Sequence, residues 1–390
     1  MTRFLQIHSL ASYPAVLLNR DDAGLAKRLP YGGSVRTRVS SQSLKRHWRL
    51  AEDAWALSKV GAPMGVRSRE IVERRVLDKI TAAPAIVEAV GAALVKHLYG
   101  KNSAKIADRQ ALLLGEPEIA YLARIGAEAA AAATDAKSAE AEIDARLAKG
   151  TGKANLAAML ASAGTLAAGL EAALFGRMVT SDPDANTDAA IHVAHAFTVH
   201  AQESESDYFT VVDDLRVAAG EVGSGGIFDT ELTSGLYYGY VVVDVPLLVS
   251  NLAGDPDLAA KVVEHLVHLI ATVSPGAKKG STAPYAYADL MLVEAGSRQP
   301  RTLAGAFRKA VPLRRDGDLA AEAVAAMAAC LTRLDRAYGQ EEERANLSVV
   351  ESSDLSLGAS GFGGQMTLDG LAAWAAEQVR AGQASAGKGK

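Results

Sequence analysis

A single cysteine, Cys330, in a chain of 390 residues leaves no partner for an intramolecular disulfide and too few thiolates for a structural zinc site. The opening MTRFLQIHSL lacks the basic-then-apolar layout of a secretory signal, so none is expected. A membrane span is not expected either. The longest uncharged stretch of the alanine-rich region, Ala154 to Leu170, includes Asn155, Ser162 and Thr165 and stops at Glu171. That is short of the roughly 18 to 20 apolar residues a spanning helix needs. No internal repeat of solenoid period is present. With 49% hydrophobic residues the chain can bury a large core, and its length predicts two or three structural units in a cytoplasmic, globular protein.

A basic balance is also missing. The net charge is −4, which taken alone argues against a nucleic-acid protein. Its distribution argues the other way. Between Arg20 and Arg75, 13 Lys/Arg stand against 6 Asp/Glu, a local +7 that leaves −11 for the rest of the chain. Lys27 to Arg49 holds Lys27, Arg28, Arg36, Arg38, Lys45, Arg46 and Arg49 with no acid at all. Like charges gathered in this way repel one another unless something anionic offsets them. A solvated face, or ion pairs with acids from elsewhere in the chain, fits the same pattern.

Phe4, Leu5, Ile7 and Leu10 predict a first strand, followed by a polar, turn-rich loop from Asn19 to Gly33. Ser34 to Val39 alternates as a half-buried strand does. Ser34, Arg36 and Arg38 share one face, which predicts that both arginines meet solvent or a ligand. Ser40 or Ser41 is placed to cap a helix whose Leu44, Trp48, Ala51 and Trp55 form a core face. Gln42, Lys45, Arg46 and Arg49 follow the spacing i, i+3, i+4, i+7 on the opposite face. Free N–H groups at a helix start, with Arg and Lys beside them, suit phosphate.

From about Gly61 to Gly176 the sequence changes to helix formers rich in alanine and predicts a helical insertion. Tyr208-Phe209-Thr210-Val211-Val212 and the glycines at 223, 225 and 226 predict a protruding hairpin or loop. Strands are expected at Tyr237–Val245 and Tyr285–Val293, and helices at Asp257–Val273, Leu303–Val311, Leu319–Tyr338 and Leu368–Ala381, before a disordered tail.

Other constellations carry less chemistry. Phe209 is either a wedge on which a base stacks or ordinary hairpin core. Met178 has the same two readings. His192, His195 and His200, and the pair His265 and His268, fit no zinc spacing. Asp21-Asp22 and Asp213-Asp214 are paired acids that would suit Mg²⁺, although adjacent residues rarely point the same way. No glycine string matches a nucleotide-binding loop, and no cofactor is expected.

Asn19-Arg20-Asp21-Asp22, Gly32-Gly33 and Arg38-Val39-Ser40-Ser41-Gln42-Ser43-Leu44-Lys45-Arg46 resemble the CasC family, the repeated backbone subunit of the subtype I-E CRISPR complex Cascade. The resemblance continues through Gly176-Arg177-Met178, Tyr208-Phe209-Thr210, Val212-Asp213-Asp214-Leu215 and Pro275-Gly276-Ala277-Lys278. Tyr208 departs from it, standing where relatives are expected to carry tryptophan, and so does the stretch after Lys278. The resemblance implies an α+β fold: a modified RRM (ferredoxin-like) palm with a helical fingers insertion and a protruding β-hairpin thumb. The expected boundaries are palm at 1–60, fingers at 61–190, a palm segment at 191–201, thumb at 202–233, palm again at 234–381 and a tail at 382–390.

It further implies a non-catalytic protein that polymerises head to tail along a guide RNA (crRNA) and leaves the guide bases free to pair with a target DNA strand. Its partners would be other Cascade subunits and a recruited helicase-nuclease. Carried over by position, Gln42, Lys45, Arg46, Arg38 and Arg49 would hold phosphates, with Ser40 and Ser41 adding hydroxyl or backbone N–H groups. Lys27, Arg36 and Lys278 complete the expected cationic set. Tyr208, Phe209, Thr210 and Val212 would lie beside a displaced nucleotide, and Met178 against guide bases. The reading of a different class is a Mg²⁺-dependent ribonuclease using Asp21 or Asp213.

Overall fold

The computed structural model describes residues 2–100, 103, 105–148, 155–179, 181–212, 224–351 and 361–384. It is a mixed α+β protein of two compact units, one formed by residues 1–56, 193–242 and 263–390, the other by 57–192 and 243–262. The strands are β1 (Phe4–Val16), β2 (Arg28–Tyr31), β3 (Ser34–Val39), β4 (Gly65–Ser68), β5 (Leu112–Gly115) and β6 (Ile191–Val193). They continue with β7 (Ala196–Thr198), β8 (Glu203–Val212), β9 (Ser224–Asp244), β10 (Ala288–Gly296), β11 (Glu343–Ser348) and β12 (Gly364–Gln365).

The first unit is built on a sheet of order β12-β11-β10-β1-β9-β7-β3-β2, with β8 paired to β9 as a hairpin. β1 and β10 run antiparallel, with Phe4 opposite Gly296 and Ile7 opposite Val293. Leu5, Ile7, Leu10, Leu290, Met291, Leu292 and Val293 are all buried, so both faces of this central pair are covered. On one face lies the helix Leu319–Tyr338, whose Ala323, Val324, Met327 and Leu331 recur at helical spacing against Leu10, Leu290 and Phe307. Asp318 caps it by accepting the N–H groups of Ala320 and Ala321.

The second unit holds the small antiparallel pair β4–β5 and helices α1 to α3 of its own core: Pro84–Tyr99, Glu116–Ala132 and Ala136–Leu147. They bury Leu94, Leu98, Ile119, Leu122 and Ile143 together. A fully desolvated bidentate pair, Arg177 with Glu118 at 2.5 and 2.6 Å, closes this core beside Met178.

Several boundaries differ from the sequence reading. The polar loop after β1 contains β2, because Gly32 and Gly33, at φ 60° and 82°, form a two-residue hairpin turn that needs positive φ at both positions. The helix after β3 stops at Arg49 with Leu50 as its C-cap, so Ala51 and Trp55 are not on it. Trp55 instead stacks on His268, with ring centroids 3.6 Å apart. Leu303–Val311 holds only one 3₁₀ turn, Ala304–Phe307, because the buried Leu303, Phe307 and Val311 plug the core individually. β10 begins at Ala288 rather than Tyr285, and β11 was not read at all. The last helix extends to Ala384, and residues 385–390 of the expected tail lie outside the described residues.

A charge network lies in the centre of the first unit. Glu294, wholly buried, accepts from Arg301 at 2.6 and 2.9 Å, from Arg344 Nε at 2.7 Å and from His8 Nε2 at 3.1 Å. His8 Nδ1 lies 2.8 Å from the Tyr238 hydroxyl, which also receives the Leu303 N–H, and Arg344 reaches on to Asp335. Burial pushes the Glu294 carboxyl up, but the hydrogen bonds from His8 and Arg301, with the Arg301 charge, outweigh it and hold the group far below the usual carboxylate range. Burial holds His8 below its ordinary value, so it is neutral at pH 7.

Both groups bind protons more weakly folded than unfolded. Stability is therefore full above about pH 6.5 and falls as acid first draws His8 and then, below about 4.5, Glu294 toward protonation. Glu294→Ala strands the buried Arg344 and leaves the part-buried Arg301 unpaired, and should cost about 3–5 kcal/mol. Chemical denaturation of wild type and variant at pH 7 and pH 4 measures both effects. Wild type should be less stable at pH 4 than at pH 7.

Candidate nucleic-acid interface

The cationic segment is organised by one side chain. Asn19 Oδ1 accepts the Ser40 N–H at 2.9 Å, and the Asn19 carbonyl accepts the Lys27 N–H at 2.9 Å. The Lys27 carbonyl in turn accepts the Arg38 N–H at 2.8 Å. The loop carrying Lys27, the end of β3 and the start of the helix Ser41–Arg49 are thereby locked together. Within the loop, Asp21 accepts the N–H groups of Ala23 and Leu25, which makes it the loop's own brace.

Ser40 caps the helix by accepting the Ser43 N–H at 3.3 Å, and the buried Ser41 hydroxyl donates to Gln42 Oε1 at 3.4 Å. Trp48 is buried on the inner face and Leu44 packs against the cluster of Val39, Ala196 and Tyr237, while Gln42 and Arg46 are exposed and Lys45 and Arg49 half-buried. The expected opposition of faces is therefore present. Arg46 and Arg49 fall in the last turn, where the helix dipole favours cations. His47 accepts the Gly276 N–H on Nε2 at 3.3 Å, with its Nδ1 toward the Ser43 carbonyl, and so ties the helix to the segment bearing Lys278.

The cations converge on a histidine that the sequence reading weighed only as a zinc ligand and assigned no part in the cationic set. His195, in the turn before β7, lies with Nδ1 2.9 Å from Arg38 Nη1. Partial burial, and then the charges of Arg38, Lys27 and Lys45, hold its pKa below the ordinary 6.5. Three chain segments thus bring positive charge to one exposed spot beside His195. No spacing in the sequence announces this, because residues 38 and 195 meet only through the pairing of β3 with β7.

Arg36 requires a correction. Alternation does put it on the face of Arg38, but the segment Leu303–Val311 covers that face at Arg36 and leaves Arg38 half-exposed. The Arg36 guanidinium is wholly buried, donating to the carbonyls of Thr198 at 3.0 Å and Phe307 at 2.9 Å. It meets no solvent and no ligand. Arg28 is likewise engaged, in an ion pair with the buried Glu231.

A second feature lies at the base of the β8–β9 hairpin. A cavity of about 700 Å³ is lined by Arg20, Leu25, Phe209, Thr230, Glu231 and Lys278, among others. Lys278 Nζ sits 5.0 Å from the Phe209 ring centroid and donates to Thr230 Oγ1 at 2.9 Å. Tyr208 is 63% and Phe209 37% exposed, so neither is hairpin core. Met178, in the other unit, is 69% exposed. The side chains of Thr210 and Val212, and Asp213 and Asp214 entirely, lie outside the described residues.

The remaining histidines have local roles: His200 accepts the Leu236 N–H, and His265 faces the carbonyls of Trp55 and Ala56. Among the described residues no cluster of His, Cys, Asp and Glu could hold a metal, and no helix is long and apolar enough to cross a membrane.

Fold and site together define a mixed α+β protein with a cationic face built on a sheet edge. Over residues 5–374 the chain matches the model of the CT1975-like protein family. It belongs to that family, and so is a Cas protein of the Cascade type. No curated protein matches it. Among solved structures, a chain of a "CRISPR RNA-guided surveillance complex, pre-nicking" aligns with a TM-score of 0.74 at 27% identity, covering 95% of this chain and 100% of that one. A chain of a second "CRISPR RNA-guided surveillance complex" aligns with a TM-score of 0.57 at 22% identity, covering 95% and 99%, which bears on the fold alone.

If Lys27, Arg38 and Lys45 surround His195 as described, neutralising them must raise its pKa. In ¹H–¹⁵N imidazole spectra His195 should titrate below 6.5, move upward in Lys45→Ala, and move upward in wild type when a polyanionic oligonucleotide is added. An unmoved His195 in both cases would separate it from the cations.

Proposed function

We propose that the protein is a non-catalytic, CasC-like backbone subunit that holds the phosphates of a guide RNA in a CRISPR surveillance complex. The observation that carries this is the convergence of Lys27, Arg38 and Lys45 at His195, beside the exposed Gln42 and Arg46. These groups recognise charge and shape rather than base identity, and a guide must be held so if its bases are to remain free for pairing. Family membership and the likeness to a chain of an RNA-guided complex support the same reading.

In this reading the sheet of the first unit is an RRM-like palm, the second unit the fingers, and the β8–β9 hairpin the thumb. The exposed Tyr208 and Phe209, with Lys278 over the Phe209 ring, would border a displaced nucleotide, and the exposed Met178 would meet guide bases. Copies of the chain would line up head to tail on the guide in the cytoplasm. Other Cascade subunits, the target DNA strand and a recruited helicase-nuclease would be the further partners.

Arg36 is buried and Arg28 paired, so phosphate contacts from Lys27–Arg49 number at most five. At about −0.7 per contact, the log–log slope of the salt dependence of single-strand binding should be no steeper than about −3.5. Replacing Lys45, Arg46 and Arg49 together by Ala should reduce that slope in magnitude by about 2 and strip co-purifying RNA from the protein. A folded triple variant that keeps its RNA would overturn the assignment. Incubating the assembled protein with complementary RNA and Mg²⁺ tests the ribonuclease reading. Intact RNA is expected, and cleavage lost in Asp21→Asn would replace this proposal by that one.

A further inference from the structure

The chain has a second acid-free cationic segment. Between Glu294 and Asp316 it carries Arg298, Arg301, Arg308, Lys309, Arg314 and Arg315 and no Asp or Glu. Two of these are structural, Arg298 pairing with Glu341 and Arg301 with Glu294. The other four are exposed. Among the described residues only Arg314 of the four has an ion pair, a 3.5 Å contact with Glu322 of the weak surface kind.

The loop that bears them is held from three sides. Val311 is buried and donates its N–H to the Val199 carbonyl at 3.0 Å. The buried Arg36 holds the Phe307 carbonyl from beneath. The Arg308 carbonyl fills the space over Gly32, where a Cβ would come within 1.5 Å of it. These contacts fix the loop at the Gly32 end of β3, whereas Arg38 and the helix with Lys45 stand at the Val39 end. A strand rises about 3.3 Å per residue, so Ser34 and Val39 are about 17 Å apart. That is about two Debye lengths at physiological salt, and the two groups of cations act separately.

We propose that Arg308, Lys309, Arg314 and Arg315 form a second phosphate-binding strip, which takes the backbone of a nucleic-acid strand other than the guide. Three of the four are arginines, whose planar fork matches phosphate oxygens. A protein-binding patch would carry an apolar core depleted of charge, yet Leu313 is the one large apolar side chain exposed between Arg308 and Arg315. The strip is a site additional to the one at His195.

The test uses the full chain purified with its guide, and labelled single-stranded DNA and RNA that do not pair with that guide. In the quadruple variant Arg308→Ala, Lys309→Ala, Arg314→Ala, Arg315→Ala, retained guide should match wild type. Affinity for at least one labelled strand, by fluorescence anisotropy at low salt, should fall at least tenfold, with a salt slope smaller in magnitude by about 3. The DNA and RNA arms show which strand the strip prefers. Arg308→Lys, Arg314→Lys, Arg315→Lys should keep most of the binding.

Unchanged affinity for both labelled strands overturns the strip. So does parallel loss of the guide, which would merge the strip with the guide site. A change in oligomeric state with strand binding intact overturns it in favour of an acidic protein partner. Should wild type retain no guide, the guide-binding reading fails, and the same anisotropy comparison on RNA-free protein still decides the strip.

Discussion

The edge of the large sheet depends on a guanidinium that, among the described residues, has no carboxylate partner. Arg36 is buried and satisfied by carbonyls of Thr198 and Phe307, with its Nε left without a hydrogen-bond partner. Taking such a charge out of water is costly, and it persists only where the surroundings are fixed by other means. Here β2 and β7 flank it through backbone pairing, and the segment Leu303–Val311 closes over it. In return it spans the short β7 and the irregular segment, two pieces of chain that have few regular hydrogen bonds of their own. The cationic surfaces at either end of β3 are presented by what this one side chain holds in place.

Elements with strong periodicity were legible in the sequence. The helix Leu319–Tyr338 was read to the residue, because its apolar spacing, acidic cap and terminal Gly339 all agree. Ser34–Val39 was equally clear, and of the two candidate caps, Ser40 and Ser41, Ser40 is the one that caps the helix. What was not legible depends on contacts distant in sequence. Arg36 and Arg38 read alike by alternation, and only the cover supplied from residues 303–311 distinguishes them. His195 belongs to the basic face through a strand pairing that joins residues 157 positions apart. The cationic loop at Arg308 escaped notice because it lies where the sequence suggested a helix, whose exposed face would ordinarily carry such charges.

The protein uses its arginines in two distinct ways. Arg177, Arg301 and Arg344 are bound to carboxylates in buried networks, where the geometry of the fork sets the packing of each unit. Arg38 at the end of β3 and Arg46 on the helix that follows stay accessible and are kept apart from acids by the composition of their own segment. The Glu294 cluster shows what the alternative looks like, with three side chains making four hydrogen bonds to one carboxylate and nothing left to offer a ligand. Segregation of acids along the chain is therefore a condition for a binding surface in a protein whose overall balance is negative.

The hairpin bearing Tyr208 and Phe209 has an unequal footing. β8 begins at Glu203, whereas β9 runs unbroken for 21 residues from the hairpin into the sheet, where it lies between β1 and β7. The hairpin is thus the projecting end of a central strand. A pull on it along the strand axis loads the hydrogen bonds to β1 and β7 in shear, all at once, instead of peeling them one by one. In the head-to-tail arrangement proposed above, tension between neighbouring units would be carried by the stiffest member of the fold.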